Sequence, residues 1–286
     1  MIGYPCAKIN LGLNVVAKRP DGYHNLETVF YPINLCDTLE INAATNASDG
    51  CELEVAGLNV DAAPDDNLVV KAYRAVKHLH PEMPGVVAKL TKHIPSQAGL
   101  GGGSSDCAFM IRMLNEMFGL GMSVGKMRET AATLGADCAF FIDPTPSFAT
   151  GIGDRLEPAD VNLDYYNIGV VKPRLMISTK EAFAHIVPRT PAICCRDIIN
   201  KPVSQWKDIL VNDFEQSVIT EHPEIAEIKQ TFYDLGAEYA AMSGSGSALF
   251  GIFRNVPKNF ELAFKDCITY MVKTGMDISA NQKNAL

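Results

Sequence analysis

The chain has no run of basic residues, and its 25 lysines and arginines are outnumbered by 33 aspartates and glutamates, for a formal net charge of −8. A nucleic-acid surface is therefore not expected, and any anionic ligand has to be held by local donors. No apolar stretch approaches the roughly 18 residues that a membrane-spanning helix requires. The eight cysteines contain no Cys-x-x-Cys pair and no secretory leader precedes them, so they read as reduced thiols of a soluble cytoplasmic protein. The adjacent Cys194 and Cys195 lack a nearby His or third Cys and read as structural. Internal repeats and low-complexity tails are also missing. What remains is a chain of 286 residues, 47% hydrophobic. That length suits two domains of about 130 to 150 residues, each with its own core.

The most informative stretch is Pro95-Ser96-Gln97-Ala98-Gly99-Leu100-Gly101-Gly102-Gly103-Ser104-Ser105-Asp106. Ahead of it, residues 86–94 alternate apolar and polar side chains, which predicts a half-buried strand. Behind it, residues 107–118 are apolar almost throughout and stop at Gly119, which predicts a buried helix. Glycines at a strand-to-helix junction let backbone N–H groups approach a phosphate at the positive end of the helix dipole. Ser104 and Ser105 are placed to cap the helix and to donate to phosphate oxygens. The loop is not a P-loop, because no lysine follows Gly103, and it is not the dinucleotide fingerprint, because position 104 is Ser. The alternative, a purely structural turn, is disfavoured by four glycines in five residues.

A second group lies near the N-terminus. Ile9, Leu11, Leu13 and Val15 alternate with Lys8, Asn10, Gly12 and Asn14, predicting a strand with lysine and amide side chains on its exposed face. The turn signal Pro20-Asp21-Gly22 follows, then Tyr23 and His24, then an extended segment over 25–33. Taken singly, Lys8 reads as a solvated edge lysine, and Tyr23 and His24 as ordinary loop residues. A third group is Leu134-Gly135-Ala136-Asp137, after a helix predicted from Ser123 with Gly135 as its C-terminal cap. Asp137 leads into an apolar run, so partial burial is expected to raise its basicity unless a cation pairs with it. By itself it also reads as a helix cap.

Beyond Asp143-Pro144 the pattern changes. A strand over 148–152 closes the first unit, and residues 157–160 read as a connection. Then come a strand over 168–177, a Ser178-x-x-Glu181 capping box, a less regular stretch, and a helix from His222-Pro223-Glu224 to Gly236. Strands over 238–242 and 248–253 flank Ser243-Gly244-Ser245-Gly246-Ser247, and a last helix is predicted over 259–273. The serine-glycine loop fits a plain hairpin and a second anion-binding nest equally well.

Read together, the loop at 95–105, the strand at 7–11 and the loop at 242–247 resemble the three motifs of the GHMP small-molecule kinases. Lys8-Ile9-Asn10-Leu11, Arg19-Pro20-Asp21-Gly22-Tyr23-His24, Gly101 to Ser105, Leu134 to Asp137 and Asn212-Asp213-Phe214-Glu215 stand in the family's order. Within that superfamily the likeness is to the kinases acting on a cytidine-diphosphate ester of methylerythritol, in the non-mevalonate route to isoprenoid precursors. The resemblance implies an α+β, two-domain fold: an N-terminal ribosomal-protein-S5-domain-2-like α/β domain over 1–155, which binds ATP, and a C-terminal ferredoxin-like α+β domain over 156–286. It implies transfer of the γ-phosphoryl of ATP, with Mg²⁺, to the tertiary 2-hydroxyl of the substrate. Asp137 would be the general base and Lys8 its cationic partner. Asn10, Tyr23 and His24 would hold the small-molecule cytidyl substrate, Pro95 to Ser105 the triphosphate, and Ser243 to Gly246 a second phosphate contact. No protein ligand to a metal and no adenine pocket follow from it, and monomer and homodimer stay open. Two positions depart from the family pattern: Asp106, where Asn is usual, and Cys138-Ala139, where Val-Pro is usual. A homoserine, mevalonate or sugar kinase, or a non-catalytic nucleotide-binding relative, are the alternatives. Tyr23-His24 with Asn10 speaks against the former, and Lys8 with Asp137 against the latter.

Overall fold

A computed structural model describes residues 1–44, 49–58 and 64–274. The first half of the chain holds strands β1 (Ile2–Gly3), β2 (Cys6–Lys18), β3 (His24–Cys36), β4 (Thr38–Ala43) and β5 (Cys51–Gly57), helix α1 (Leu68–Leu79), strand β6 (Val86–Lys92), helices α2 (Gly102–Met117) and α3 (Val124–Ala132), and strands β7 (Ser147–Thr150) and β8 (Arg155–Pro158). They build two four-stranded sheets, ordered β1-β4-β6-β5 and β2-β3-β7-β8. Strands β5 and β6 pair in parallel, with α1 as their crossover. The predicted alternation of β6 holds: Val86, Ala88 and Leu90 are buried against Val69, Tyr73, Phe109 and Met110 of α1 and α2, while Val87 and Lys89 are exposed. Lys92 is the exception, a charge on the buried face.

The second half adds β9 (Asn167–Lys172), α4 (Thr179–Ala184), α5 (Cys195–Ile198), α6 (Phe214–Glu221), α7 (Glu224–Asp234), β10 (Tyr239–Met242), β11 (Leu249–Phe253), α8 (Phe260–Ala263) and β12 (Ile268–Lys273). Its antiparallel sheet has the order β10-β11-β9-β12. Counted from β9, this is the split βαβ arrangement of a ferredoxin-like unit. The sheet is buried on both faces. Leu249 and Phe253 pack on Phe214, Ile225 and Phe232 of the helices, whereas Phe250 and Ile252 meet Ile9, Leu11 and Val29 of the second sheet in a shared core.

The structure corrects several expectations. Residues 259–273 are not one helix: α8 spans four residues, and 268–273 form β12, which pairs with β9. The run Ile268-Thr269-Tyr270-Met271-Val272 is rich in β-branched and aromatic residues, and pairing with β9 decides the matter over helical composition. Residues 157–160 are not a simple connection, because β8 runs through Pro158 and pairs with β7. The predicted 107–118 helix begins earlier, at Gly102, with Gly101 as its N-cap in the left-handed conformation (φ 72°) and no side-chain cap. Ser104 and Ser105 therefore lie inside the first turns rather than capping them. The α3 C-cap falls on Thr133 instead of Gly135, although Ser123 caps its start by accepting from the Lys126 N–H. The strand predicted over 168–177 ends at Lys172, before Pro173. The Ser178 and Glu181 capping box is present in full.

Candidate active site

A cleft of about 1030 Å³ opens between the ends of the sheets. Strand β2 brings Lys8 and Asn10 to it. Their face of β2 was expected to be exposed, but Lys8 is 3% and Asn10 1% accessible, because the glycine loop closes over them. The Lys8 backbone N–H donates to the Leu100 carbonyl at 2.9 Å, fastening the loop to the strand. A Cβ on Gly101 would stand 3.3 Å from Lys8 Cγ and 2.7 Å from the Phe141 ring, so glycine is required there by space as well as by its positive φ.

The Lys8 ammonium donates to Asn10 Oδ1 at 2.6 Å and stands 3.5 Å from Asp137 Oδ2, with the Phe30 ring 5.0 Å away. Asn10 in turn donates to Thr28 Oγ1, which donates to the Gly12 carbonyl. Burial lowers the Lys8 pKa, and the charge and hydrogen bond of Asp137 oppose that shift. The Asp137 side chain keeps 31% of its surface open, against 4% for Lys8. A buried cation thus backs a carboxylate that faces the cleft, free to accept a proton from a bound hydroxyl.

The glycine loop lines one wall from Pro95 through Ser104, with Gly99 and Gly101 both at positive φ. Ser105 stands apart from the cleft surface: it is fully buried, and its hydroxyl has no hydrogen-bond partner. Gly244, Ser245 and Gly246 line the cleft beside Gly99, while Ser243 lies behind them and donates to the Gly99 carbonyl at 2.9 Å. The serine-glycine segment joins β10 to β11, as a hairpin would, and is also packed against the first loop. Asn212 anchors it, donating to the carbonyls of Met242 and Gly244, each at 2.8 Å. Its neighbours act in the same way: Asp213 accepts the Val15 N–H, and Glu215 accepts the Met242 N–H. Asn212, Asp213 and Glu215 thus clamp the loop and do not line the cleft, whereas Phe214 between them does.

At the far end Tyr23 and His24 line the cleft, Tyr23 being 61% exposed. Phe183 of α4 stacks on His24 with ring centroids 4.7 Å apart and planes 18° from parallel. Burial, then the charge of Lys18, lowers the His24 pKa, which keeps the ring neutral near pH 7 with one donor and one acceptor. Phe183 and Lys180 were not singled out by sequence; the capping box that positions their helix was, and Thr179 with it. Also missed was a recess formed by Asn67, Leu68, Leu90 and Ile94 beside the glycine loop. Its signal was the Asn67 N-cap, whose side chain accepts from the Val69 N–H at 2.9 Å.

Among the described residues, the group of His, Cys, Asp or Glu side chains close enough to share a metal is Glu181, Glu221 and His222, and none of the three lines the cleft. No helix among those residues is long and apolar enough to cross a membrane.

Residues 67–144 match the GHMP kinases N terminal domain, and residues 197–266 match the GHMP kinases C terminal domain. A 4-diphosphocytidyl-2-C-methyl-D-erythritol kinase of Bacteroides fragilis is 52% identical over 268 residues, covering 92% of this chain and 97% of its own length. The protein of that name from Chlorobium phaeobacteroides is 39% identical over 257 residues, covering 87% and 88%. A crystal structure of 4-(cytidine 5'-diphospho)-2C-methyl-D-erythritol kinase superposes with a TM-score of 0.81 at 29% identity, covering 96% of this chain and 100% of that one. The mevalonate kinase of Methanococcus jannaschii, at 12% identity, covers 96% and 98% with a TM-score of 0.67 and shares the fold. With matched relatives over most of its length and both family domains in order, the chain belongs to the GHMP kinases and, within them, to the family of 4-diphosphocytidyl-2-C-methyl-D-erythritol kinases.

Proposed function

We propose that this chain transfers the γ-phosphoryl of ATP to the 2-hydroxyl of 4-(cytidine 5'-diphospho)-2-C-methyl-D-erythritol, giving the 2-phosphate and ADP. The observation that carries the chemistry is the Lys8–Asp137 pair, a buried ammonium 3.5 Å from a cleft-facing carboxylate beside the glycine loop. A tertiary alcohol is a poor nucleophile near neutral pH, and a positioned base contributes about 10²–10⁴ in rate. Asp137 accepts the hydroxyl proton. Lys8 pairs with Asp137 and offsets charge on the transferring phosphoryl.

The donor's phosphates rest on the N–H groups at the start of α2, and its base enters the recess of Leu68, Leu90 and Ile94. Mg²⁺ enters as part of the substrate MgATP, held by the nucleotide's own oxygens. The carboxyl groups of the cleft fit this, because Asp137 is engaged by Lys8, Asp106 by Lys92 and Asp66 by Lys71. Tyr23, His24 and Phe183 take the cytosine, two rings for its faces and a neutral imidazole for its edge. Asn10 orients the acceptor end. A cytoplasmic setting suits the eight free thiols. The two domains divide close to residue 155, at the strand β8 that closes the second sheet.

A coupled ADP-release assay with the cytidyl substrate beside mevalonate, homoserine and galactose tests this reading. The expected result is turnover of the cytidyl compound at least about 10³-fold above the others in kcat/KM, a margin that polar recognition can supply. Equal turnover of all four would overturn the substrate while leaving a kinase.

A further inference from the structure

Beneath the glycine loop, three charged side chains are shut away from solvent in numbers that do not balance. Asp37 is 0%, Lys92 4% and Asp106 2% accessible, one cation between two carboxyl groups. Asp37, between β3 and β4, accepts the backbone N–H groups of His93 and Ile94 at 2.5 and 2.8 Å through Oδ1, and the Lys92 ammonium through Oδ2. Its environment is that of a satisfied carboxylate. Asp106, one turn into α2, receives Lys92 at 2.6 Å through Oδ2, but its Oδ1 is buried with no hydrogen-bond partner. The uncompensated charge therefore falls on Asp106.

Two observations tie this cluster to the donor site. Lys92 and Asp106 both line the cleft, and a Cβ on Gly102 in the first turn of α2 would stand 3.4 Å from Lys92 Nζ. The cluster lies one layer behind the amides that face the phosphates. Among the described residues Lys92 is the cation that pairs with either carboxyl group, and Lys8 lies on the other side of the glycine loop, beside Gly101. The Cys107 thiol adjoins Asp106 on α2 and shares a hydrogen bond with the free thiol of Cys138, and the Tyr270 hydroxyl of β12 reaches the His93 carbonyl on the Asp37 side. Burial pushes the Asp106 carboxyl up to about 8, against the pull of Lys92 and with the push of Asp37. In so dry a setting, an ionised Asp106 would oppose both Asp37 and an incoming triphosphate.

We propose that donor binding is coupled to protonation of Asp106, so that the cluster under the phosphate loop is neutral when the triphosphate is in place. The proton comes from solvent and stays on the Asp106 carboxyl, with Lys92 and Asp37 as the fixed pair that sets its state. Asp106 acts here as a positioning residue through the field it presents to the loop, and the inference rests on the kinase reading above.

The test is calorimetric titration of MgATP into the intact protein at pH 8, in two buffers of different ionisation enthalpy. Wild type should take up about half a proton per nucleotide, and its affinity should fall by nearly tenfold per pH unit above pH 8. Asp106→Asn, a neutral isostere, should lose the uptake and the alkaline decline. Should that variant fail to fold, the infrared difference spectrum of wild type on MgATP binding should show a gain of protonated carboxyl that shifts in D₂O. Proton release, no change in that band, or uptake undiminished in Asp106→Asn, which would assign it to Lys8, overturns the proposal. Absence of MgATP binding to wild type would overturn the kinase reading itself.

Discussion

The hydroxyl of Ser243 donates to the carbonyl oxygen of Gly99 at 2.9 Å, joining two loops that lie 144 residues apart. The Ala248 N–H reaches the Ala98 carbonyl at 3.2 Å beside it. The two glycine-rich loops thus form one wall, and the geometry of each depends on the other.

Gly99 tests that seam. Its φ is 71°, and a Cβ there would fall 1.9 Å from the Ser243 carbonyl oxygen, which is backbone and has no rotamer to give way. Gly99→Ala should destabilise the protein by about 2 kcal/mol or more, combining left-handed strain with a broken loop contact. Denaturant unfolding would check this, and a loss below about 0.5 kcal/mol would contradict the packing described.

Phe183 tests the acceptor end. It stacks on His24 and packs edge-on against Phe214 with centroids 4.7 Å apart. Phe183→Ala should raise KM for the cytidyl substrate by about tenfold with kcat within about twofold, because the ring packs on His24 and Phe214 and not on the Lys8–Asp137 pair. Steady-state kinetics would show it, and a fall in kcat at unchanged KM would refute the assignment.

Asp106 also has a signature in stability. Its folded carboxyl is pushed up to about 8, above the roughly 3.9 of an exposed aspartate, so the folded state carries the extra proton between those values. Its contribution to stability is present at low pH, declines as pH rises through that window, and is fully lost above about pH 8. The gap in melting temperature between Asp106→Asn and wild type should therefore widen in favour of the variant from pH 5 to pH 8. A gap that stays flat over that range would contradict the burial of an unbalanced carboxyl.

Much of the site was legible in the sequence because its parts are local. The glycine loop signals itself by composition at a strand-helix junction, whereas Tyr23 and His24, after Pro20-Asp21-Gly22, read alone as ordinary loop residues and were joined to the site by the family resemblance. Lys8 and Asp137 carried little weight singly, since a strand lysine and a post-helix aspartate are common; the family resemblance joined them, and they lie 3.5 Å apart. What escaped notice depends on convergence in space. The Asp37–Lys92–Asp106 cluster draws on three segments whose separations, 55 and 14 residues, follow no periodicity. Phe183 looks like an ordinary helical aromatic until His24 is laid against it. The strand β12 was read as helix because its partner β9 lies about a hundred residues earlier, and no local signal records that pairing.

Phosphoryl transfer as proposed turns on Asp137 as the proton acceptor, and Asp137→Asn tests that role most directly. The variant preserves shape and leaves Lys8 its bond to Asn10. It should bind MgATP and the cytidyl substrate within about threefold of wild type by calorimetry, and lose about 10²–10⁴ in single-turnover phosphoryl transfer. Near-wild-type turnover with both ligands bound would contradict the assignment of Asp137 as the base.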